Sequence, residues 1–200
     1  VPFNESDVIN SCNSPYACSK MAMELYAKTY TQLYNMSCIG LRFFTVYGPR
    51  GRPDMAPYKF LDAILNERSF DKYGDGTTSR DYTYIDDIVK GILRVIDSPA
   101  QINPTWNSAK PDPSSSSAPW KIYNIGNNNP VELMDYIESL EASLGKTSQK
   151  EMLPIQPGDV KDTYADVDDL SKDFNYKPST SVKVGIDRFV KWYREFYEIN

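Results

Sequence analysis

A helix start followed at once by a strand that is apolar on both faces constrains this chain more than any other feature. Ser14-Pro15 opens the helix, with Ser as N-cap and Pro at the first helical position. Ala22, Leu25, Tyr26, Thr29 and Leu33 then recur at helical spacing. Ser37 to Phe44 follows as a strand that is apolar on both sides apart from Arg42. Such a strand suits the covered middle of a parallel sheet. Helix followed by buried strand is half of a βαβ unit, so the pattern predicts an α/β fold whose parallel sheet continues upstream.

Composition narrows the chemistry. The 200 residues, 40% hydrophobic and 24% charged, are enough for one domain or one and a half with a real core. A net charge of −5 leaves little from which to build a basic face, so no nucleic-acid partner is expected. The chain has no histidine. That removes Ser-His-Asp and Cys-His nucleophile systems and His-ligated metals, and no metal site is expected. Proton transfer would have to use Tyr, Lys, Asp or Glu. Three cysteines, Cys12, Cys18 and Cys38, form no C-x-x-C pair and favour a reducing compartment. The expected location is the cytoplasm, or the lumen of the secretory pathway if a preceding segment carries an anchor. The apolar runs are short and broken by charges, so no membrane segment is expected. The chain opens on Val1 rather than Met, as a piece of a longer protein would.

Further along, the pattern predicts a loop over 45–57, a helix from Tyr58 to Glu67 and a short strand from Phe70 to Tyr73. That strand is ended by the turn Gly74-Asp75-Gly76. Another strand covers Tyr82 to Tyr84, and Asp86 or Asp87 is expected to cap a helix to about Ile96. Residues 103–119, with four prolines and four consecutive serines, read as a solvated surface loop. Lys121 to Ile125 reads as a strand. Pro130 or Val131 should start a helix to Leu144, closed by Gly145. A short helix over Asp168 to Asp173 and a long amphipathic one over Val182 to Phe196 complete the chain.

Tyr16 and Lys20 lie four apart on the first helix and so share a face. A phenol titrates near ~10, and a neighbouring ammonium favours the phenolate. In a chain with 15 tyrosines this spacing alone carries no weight. Its place does: directly after a Ser-Pro helix start, with a buried strand next.

Tyr16-Ala17-Cys18-Ser19-Lys20 followed by Leu41-Arg42-Phe43-Phe44-Thr45-Val46-Tyr47-Gly48-Pro49 resembles the extended short-chain dehydrogenase/reductases, the NAD-dependent epimerases and dehydratases. Gly51-Arg52-Pro53-Asp54-Met55, the segment Ser79 to Asp87, Tyr123 to Asn127 and Gln156 to Val160 are similar to UDP-glucuronate 4-epimerases. Pro130 to Ile137 and Phe189 to Tyr193 fit the same subfamily.

The resemblance implies a doubly wound parallel-sheet (Rossmann) NAD-binding domain with a smaller C-terminal α/β lobe for the UDP-sugar. Residues 1–50 would be the end of the first domain. Residues 51–200 would be mainly the lobe, with some segments returning to the first domain. Tyr16 would take the proton from the sugar O4 as the C4 hydride passes to NAD, and Lys20 would hold the nicotinamide ribose and tune Tyr16. Phe44 would touch the nicotinamide side, at the carboxyl end of its strand, where ligands of such sheets sit. Thr45 and Arg52 would receive the sugar carboxylate, which suits an Arg fork. Arg80 would contact the pyrophosphate and Asp159 the ribose hydroxyls. Gln156 stands where some relatives carry a phosphate-binding Arg.

No G-x-x-G-x-x-G or G-x-G-x-x-G run occurs in the chain, so the family's glycine-rich cradle and its catalytic Ser or Thr are expected upstream of Val1. The expected function is therefore that of part of a UDP-glucuronate to UDP-galacturonate epimerase, inactive alone and homodimeric at full length. Rivals are another UDP-sugar epimerase, a dehydratase or decarboxylase of the same superfamily, and a non-catalytic UDP-sugar-binding remnant.

Overall fold

The computed structural model describes residues 1–155 and 159–199. Helix α1 spans Pro15–Tyr34, and the Ser14 hydroxyl accepts from the Ala17 N–H at 3.1 Å, as the Ser-Pro start predicts. Asn35 ends it in the left-handed region. Strand β1, Cys38–Phe43, follows at once and pairs in parallel with β5, Trp120–Ile125, from Cys38 opposite Trp120 to Phe43 opposite Ile125. A parallel pair this far apart in sequence needs a crossover, and the intervening chain supplies it.

The chain between them builds a second sheet. Strand β2, Thr45–Tyr47, pairs in parallel with β4, Ser79–Tyr84. On β4 the antiparallel β6, Pro130–Glu132, and the parallel β8, Asp162–Thr163, are also joined. A third pair, β3 over Phe70–Tyr73 with β7 over Lys150–Leu153, is parallel. The helices are α2 (Ala56–Leu65), α3 (Ile85–Ile96), α4 (Leu133–Leu144), α5 (Asp168–Phe174) and α6 (Val182–Phe196).

Two apolar cores result. The larger gathers Leu61 and Ile64 of α2, Ile137 and Leu140 of α4, and Ile186 and Phe189 of α6 against Tyr47, Tyr82 and Tyr84. Tyr82 stacks on Tyr136 with ring centroids 4.1 Å apart. The smaller lies between α3, β5 and α5, around Ile88, Val95, Tyr123, Ile125 and Leu170. There α3 approaches β5 at Gly91, where a Cβ would stand 2.5 Å from Ile125 Cδ1.

Several boundaries differ from the sequence reading, each for a tertiary reason. The segment 45–57 is not all loop, because Thr45–Tyr47 finds a partner in β4. Helix α2 begins at Ala56, two residues before Tyr58, with Pro57 in its first turn. Neither Asp86 nor Asp87 caps α3; Tyr84 occupies the N-cap position without a side-chain cap. The Asp87 carboxylate instead accepts from the N–H groups of Ser179 and Thr180 at 3.0 and 2.8 Å. Pro130 and Val131 do not start α4, because they pair with Asp81 and Arg80 in β6, and α4 begins at Leu133. Gly145 does close it, at φ 66°. Strands β7 and β8 were not legible in the sequence.

The 103–119 segment is not a simple solvated insertion. Ser114, Ser115 and Ser116 are buried, and the Asp112 carboxylate accepts from the Ser114 N–H at 2.8 Å. Lys28 of α1 reaches the Ser115 carbonyl at 3.1 Å, and Asn103 donates to the Ser115 hydroxyl. Strand β1 also departs from expectation. Its residues are half-buried rather than covered, Phe43 is exposed, and among the described residues β5 is its only partner. No helix among the described residues is long and apolar enough to cross a membrane.

Candidate active site

The Ser14 cap fixes where α1 begins and thereby puts Tyr16 and Lys20 in its first two turns. They share a face, with the Lys20 ammonium 5.3 Å from the centre of the Tyr16 ring. Tyr16 is 71% exposed, and among the described residues nothing walls off its hydroxyl.

Phe44 sits between β1 and β2, at the carboxyl end of β1. Its N–H donates to the Ile125 carbonyl at 3.4 Å, and its ring faces Phe3 with centroids 6.3 Å apart. Thr45 begins β2 opposite Tyr82. Arg52 lies on the loop before α2. Its guanidinium donates to Asp54 at 3.0 Å and to the Met55 sulfur at 3.2 Å. The Arg52 and Asp54 side chains are 72% and 67% exposed, so that pair holds weakly and leaves the fork available.

Arg80 and Asp159 are brought together. The guanidinium donates to the Asp159 carboxylate at 2.9 Å and to the carbonyls of Ser79 and Lys161 at 2.8 Å each. This arrangement holds a planar cation in one orientation at the end of β8. Gln156 lies outside the described residues. Among the described residues no hydrogen bond or ion pair joins the Tyr16–Lys20 pair to Arg52, Arg80 or Asp159.

Three buried groups that sequence reasoning passed over organise the ends of these strands. Asp81, fully buried, accepts from the N–H groups of Asn127, Asn128 and Ala165 at 2.7, 3.0 and 3.1 Å. It thereby ties β4, beside Arg80, to the turn after β5 and to the segment before α5. Gly126 permits this: a Cβ there would stand 2.7 Å from Asp81 Oδ2. Glu5 and Asn124, each 2% exposed, form the second clamp, with the Asn124 N–H donating to Glu5 at 2.7 Å. Burial pushes the Glu5 carboxyl above the ordinary carboxylate range, against the bond from Asn124. The available signal was an acidic residue directly before the Tyr82-Thr83-Tyr84 strand. Nothing local marked Glu5.

Two open clefts, about 560 and 520 Å³, flank Ile39 and Pro99. Neither is lined by Tyr16, Lys20, Arg52 or Arg80. No group of three or more Cys, Asp or Glu suited to a metal ion occurs among the described residues.

Comparison with known proteins places this geometry in context. Residues 1–126 match the NAD dependent epimerase/dehydratase family. The chain is 52% identical over 197 residues to Protein CapI of Staphylococcus aureus, covering 98% of this chain and 59% of that protein. It is 45% identical over 198 residues to a probable UDP-glucuronate 4-epimerase of Rhizobium meliloti, covering 98% and 58%. Among solved structures it resembles a UDP-glucuronic acid 4-epimerase from Bacillus cereus in complex with UDP-glucuronic acid and NAD. That likeness has a TM-score of 0.80 at 27% identity and covers 98% of this chain and 60% of the other. The chain thus spans somewhat over half the length of these relatives.

Proposed function

The chain belongs to the NAD dependent epimerase/dehydratase family, and from this we propose that the longer protein of which it is a part is a UDP-glucuronate 4-epimerase, forming UDP-galacturonate. The observation that carries the reading is the Tyr16–Lys20 pair, held on one face of α1 with the ammonium 5.3 Å from the phenol ring. The relatives named above support the choice of sugar.

The residues present fit the nicotinamide end of NAD: a phenol and an ammonium on one helix face, and an aromatic ring, Phe44, at the end of a parallel strand. NAD, when bound, supplies a reversible hydride acceptor. Tyr16 takes the proton from the sugar O4 and returns it, so the phenolate is needed in one direction and the phenol in the other. Lys20, on the same helix face, would donate to the nicotinamide ribose. Arg80, oriented by Ser79, Lys161 and Asp159, presents cationic donors to the pyrophosphate. Asp159 keeps a second carboxylate oxygen for the ribose hydroxyls. Thr45 and Arg52 take the C6 carboxylate. Residues 1–50 would close the NAD-binding domain and 51–200 would make most of the sugar-nucleotide lobe, in a homodimer.

The test is product analysis. The longer protein, given NAD and UDP-glucuronate, should form UDP-galacturonate to an equilibrium mixture, read by proton NMR of the anomeric signals. No turnover of UDP-glucuronate alongside turnover of a neutral UDP-sugar overturns the uronate assignment.

A further inference from the structure

Glu5 is buried near Asp166 and Asp169, with the Arg42 guanidinium, paired to Glu24, also in its field, and no ion pair of its own holds it among the described residues. A carboxylate in such a place needs a reason. Its surroundings supply one. The Glu5 carboxylate accepts the N–H of Asn124 on the edge of β5 that does not face β1. The Asn124 side chain donates in turn to the carbonyls of Phe3 and Asp166, at 2.8 and 3.1 Å. Phe3 also exchanges backbone bonds with the Tyr164–Asp166 segment: its N–H donates to Tyr164, and its carbonyl accepts from Asp166. Asn4 adds a bond from its side chain to Asp166 at 2.8 Å. The product of these contacts is that Phe3, itself 40% exposed, lays its ring against Phe44.

We propose that Glu5 is a positioning residue: its carboxylate latches the segment 3–5 onto β5, and through Phe3 it sets the Phe44 ring that faces the reacting end of the site. The inference rests on the proposed epimerase reading for the role of Phe44, but the latch itself does not. Glu5, 2% exposed, would act through its neighbours rather than on the reacting atoms. Its removal leaves the Asn124 N–H without an acceptor and weakens the hold on segment 3–5, which then rests on the Phe3 bonds to Tyr164, Asp166 and the Asn124 side chain. Small misplacements at a reacting centre are felt in turnover rather than in substrate binding.

Two measurements on the longer protein separate the parts. The first is hydrogen exchange of the Asn124 amide without cofactor. Glu5→Ala should speed it at least about tenfold, because an opened edge amide loses its protection. Glu5→Gln should keep it slow, since the amide oxygen still accepts and its NH2 can donate to the nearby carboxylates. The second is kinetics. Glu5→Ala should lower kcat by about tenfold or more while KM for the UDP-sugar stays within about twofold, and Glu5→Gln should restore most of the rate. Phe3→Ala, which leaves the carboxylate in place, should reproduce the kcat loss, and it serves if Glu5→Ala fails to fold.

Unchanged exchange at Asn124 in Glu5→Ala overturns the latch. Unchanged kcat in Phe3→Ala, or a KM that rises by the factor by which kcat falls, overturns the positioning role. If the wild-type protein does not turn over UDP-glucuronate, the functional reading fails instead, and the exchange data still decide the latch.

Discussion

Tyr16 and Arg52 are the residues on which the proposed chemistry rests, and each allows a sharp expectation. Tyr16→Phe keeps the ring beside Lys20 and removes only the hydroxyl. In the longer protein it should lower kcat at least about 10²-fold, the lower range for loss of a general base. Steady-state kinetics with UDP-glucuronate decide this, and near-normal turnover moves the base elsewhere. Arg52 has an exposed guanidinium that Asp54 holds only weakly. Arg52→Ala removes a charged hydrogen bond to a carboxylate, worth roughly 1.5–3 kcal/mol, so kcat/KM for UDP-glucuronate should fall about 10- to 150-fold. A neutral UDP-sugar has no carboxylate to lose and should be affected far less. Equal losses on both substrates would place Arg52 with the shared UDP moiety or with the loop fold.

At the scale of elements, α3 is held by a carboxylate that does not cap it. Asp87 accepts from Thr180 and Ser179 ahead of α6 and from Lys90 within α3. Burial alone would push its carboxyl up, but these bonds outweigh burial and hold it below the ordinary value near 3.8. The sign follows from linkage: a depressed carboxyl stabilises the fold above its ordinary value, and that contribution is lost as pH falls through the folded value. Asp87→Asn should therefore cost about 1.5–3 kcal/mol at neutral pH. The gap between wild type and variant should shrink below pH 3.8. Thermal melts across pH check both; a gap that does not depend on pH would assign the loss to packing.

For the whole molecule, the exposed face of α1 dominates behaviour in solution. Thr31 is the only buried residue of that helix. Met23, Leu25, Tyr26, Tyr30, Leu33 and Tyr34 are all more than half exposed, as is Phe43 at the end of β1. Exposed apolar side chains on a helix beside a strand whose only partner among the described residues is β5 promote association. The 200-residue chain should therefore self-associate or bind a hydrophobic dye through its N-terminal third. Light scattering with dye titration tests this, and a monodisperse monomer that leaves the dye dark contradicts it.

What the sequence determined by itself were features set by local chemistry and by motif. The Ser14-Pro15 start needs only a hydroxyl and a fixed φ, and it places Tyr16 and Lys20 without help from the rest of the fold. Phe70–Tyr73, the Gly145 stop and the amphipathic α6 were legible for the same reason. The ordered motifs were enough to indicate the family. Tertiary structure alone decided the rest. Pro130–Glu132 is a strand because Val131 finds Arg80 across β4, and Thr45–Tyr47 is one because β4 lies beside it. The serines of 114–116 are buried because Asp112, Asn103 and Lys28 come to meet that segment. Asp81 and Glu5 become clamps only when their partners, 46 and 119 residues away, are folded against them. Short-range patterns report what a residue prefers; a buried hydrogen bond reports which distant donor had to be satisfied, and that is fixed only once the chain has packed.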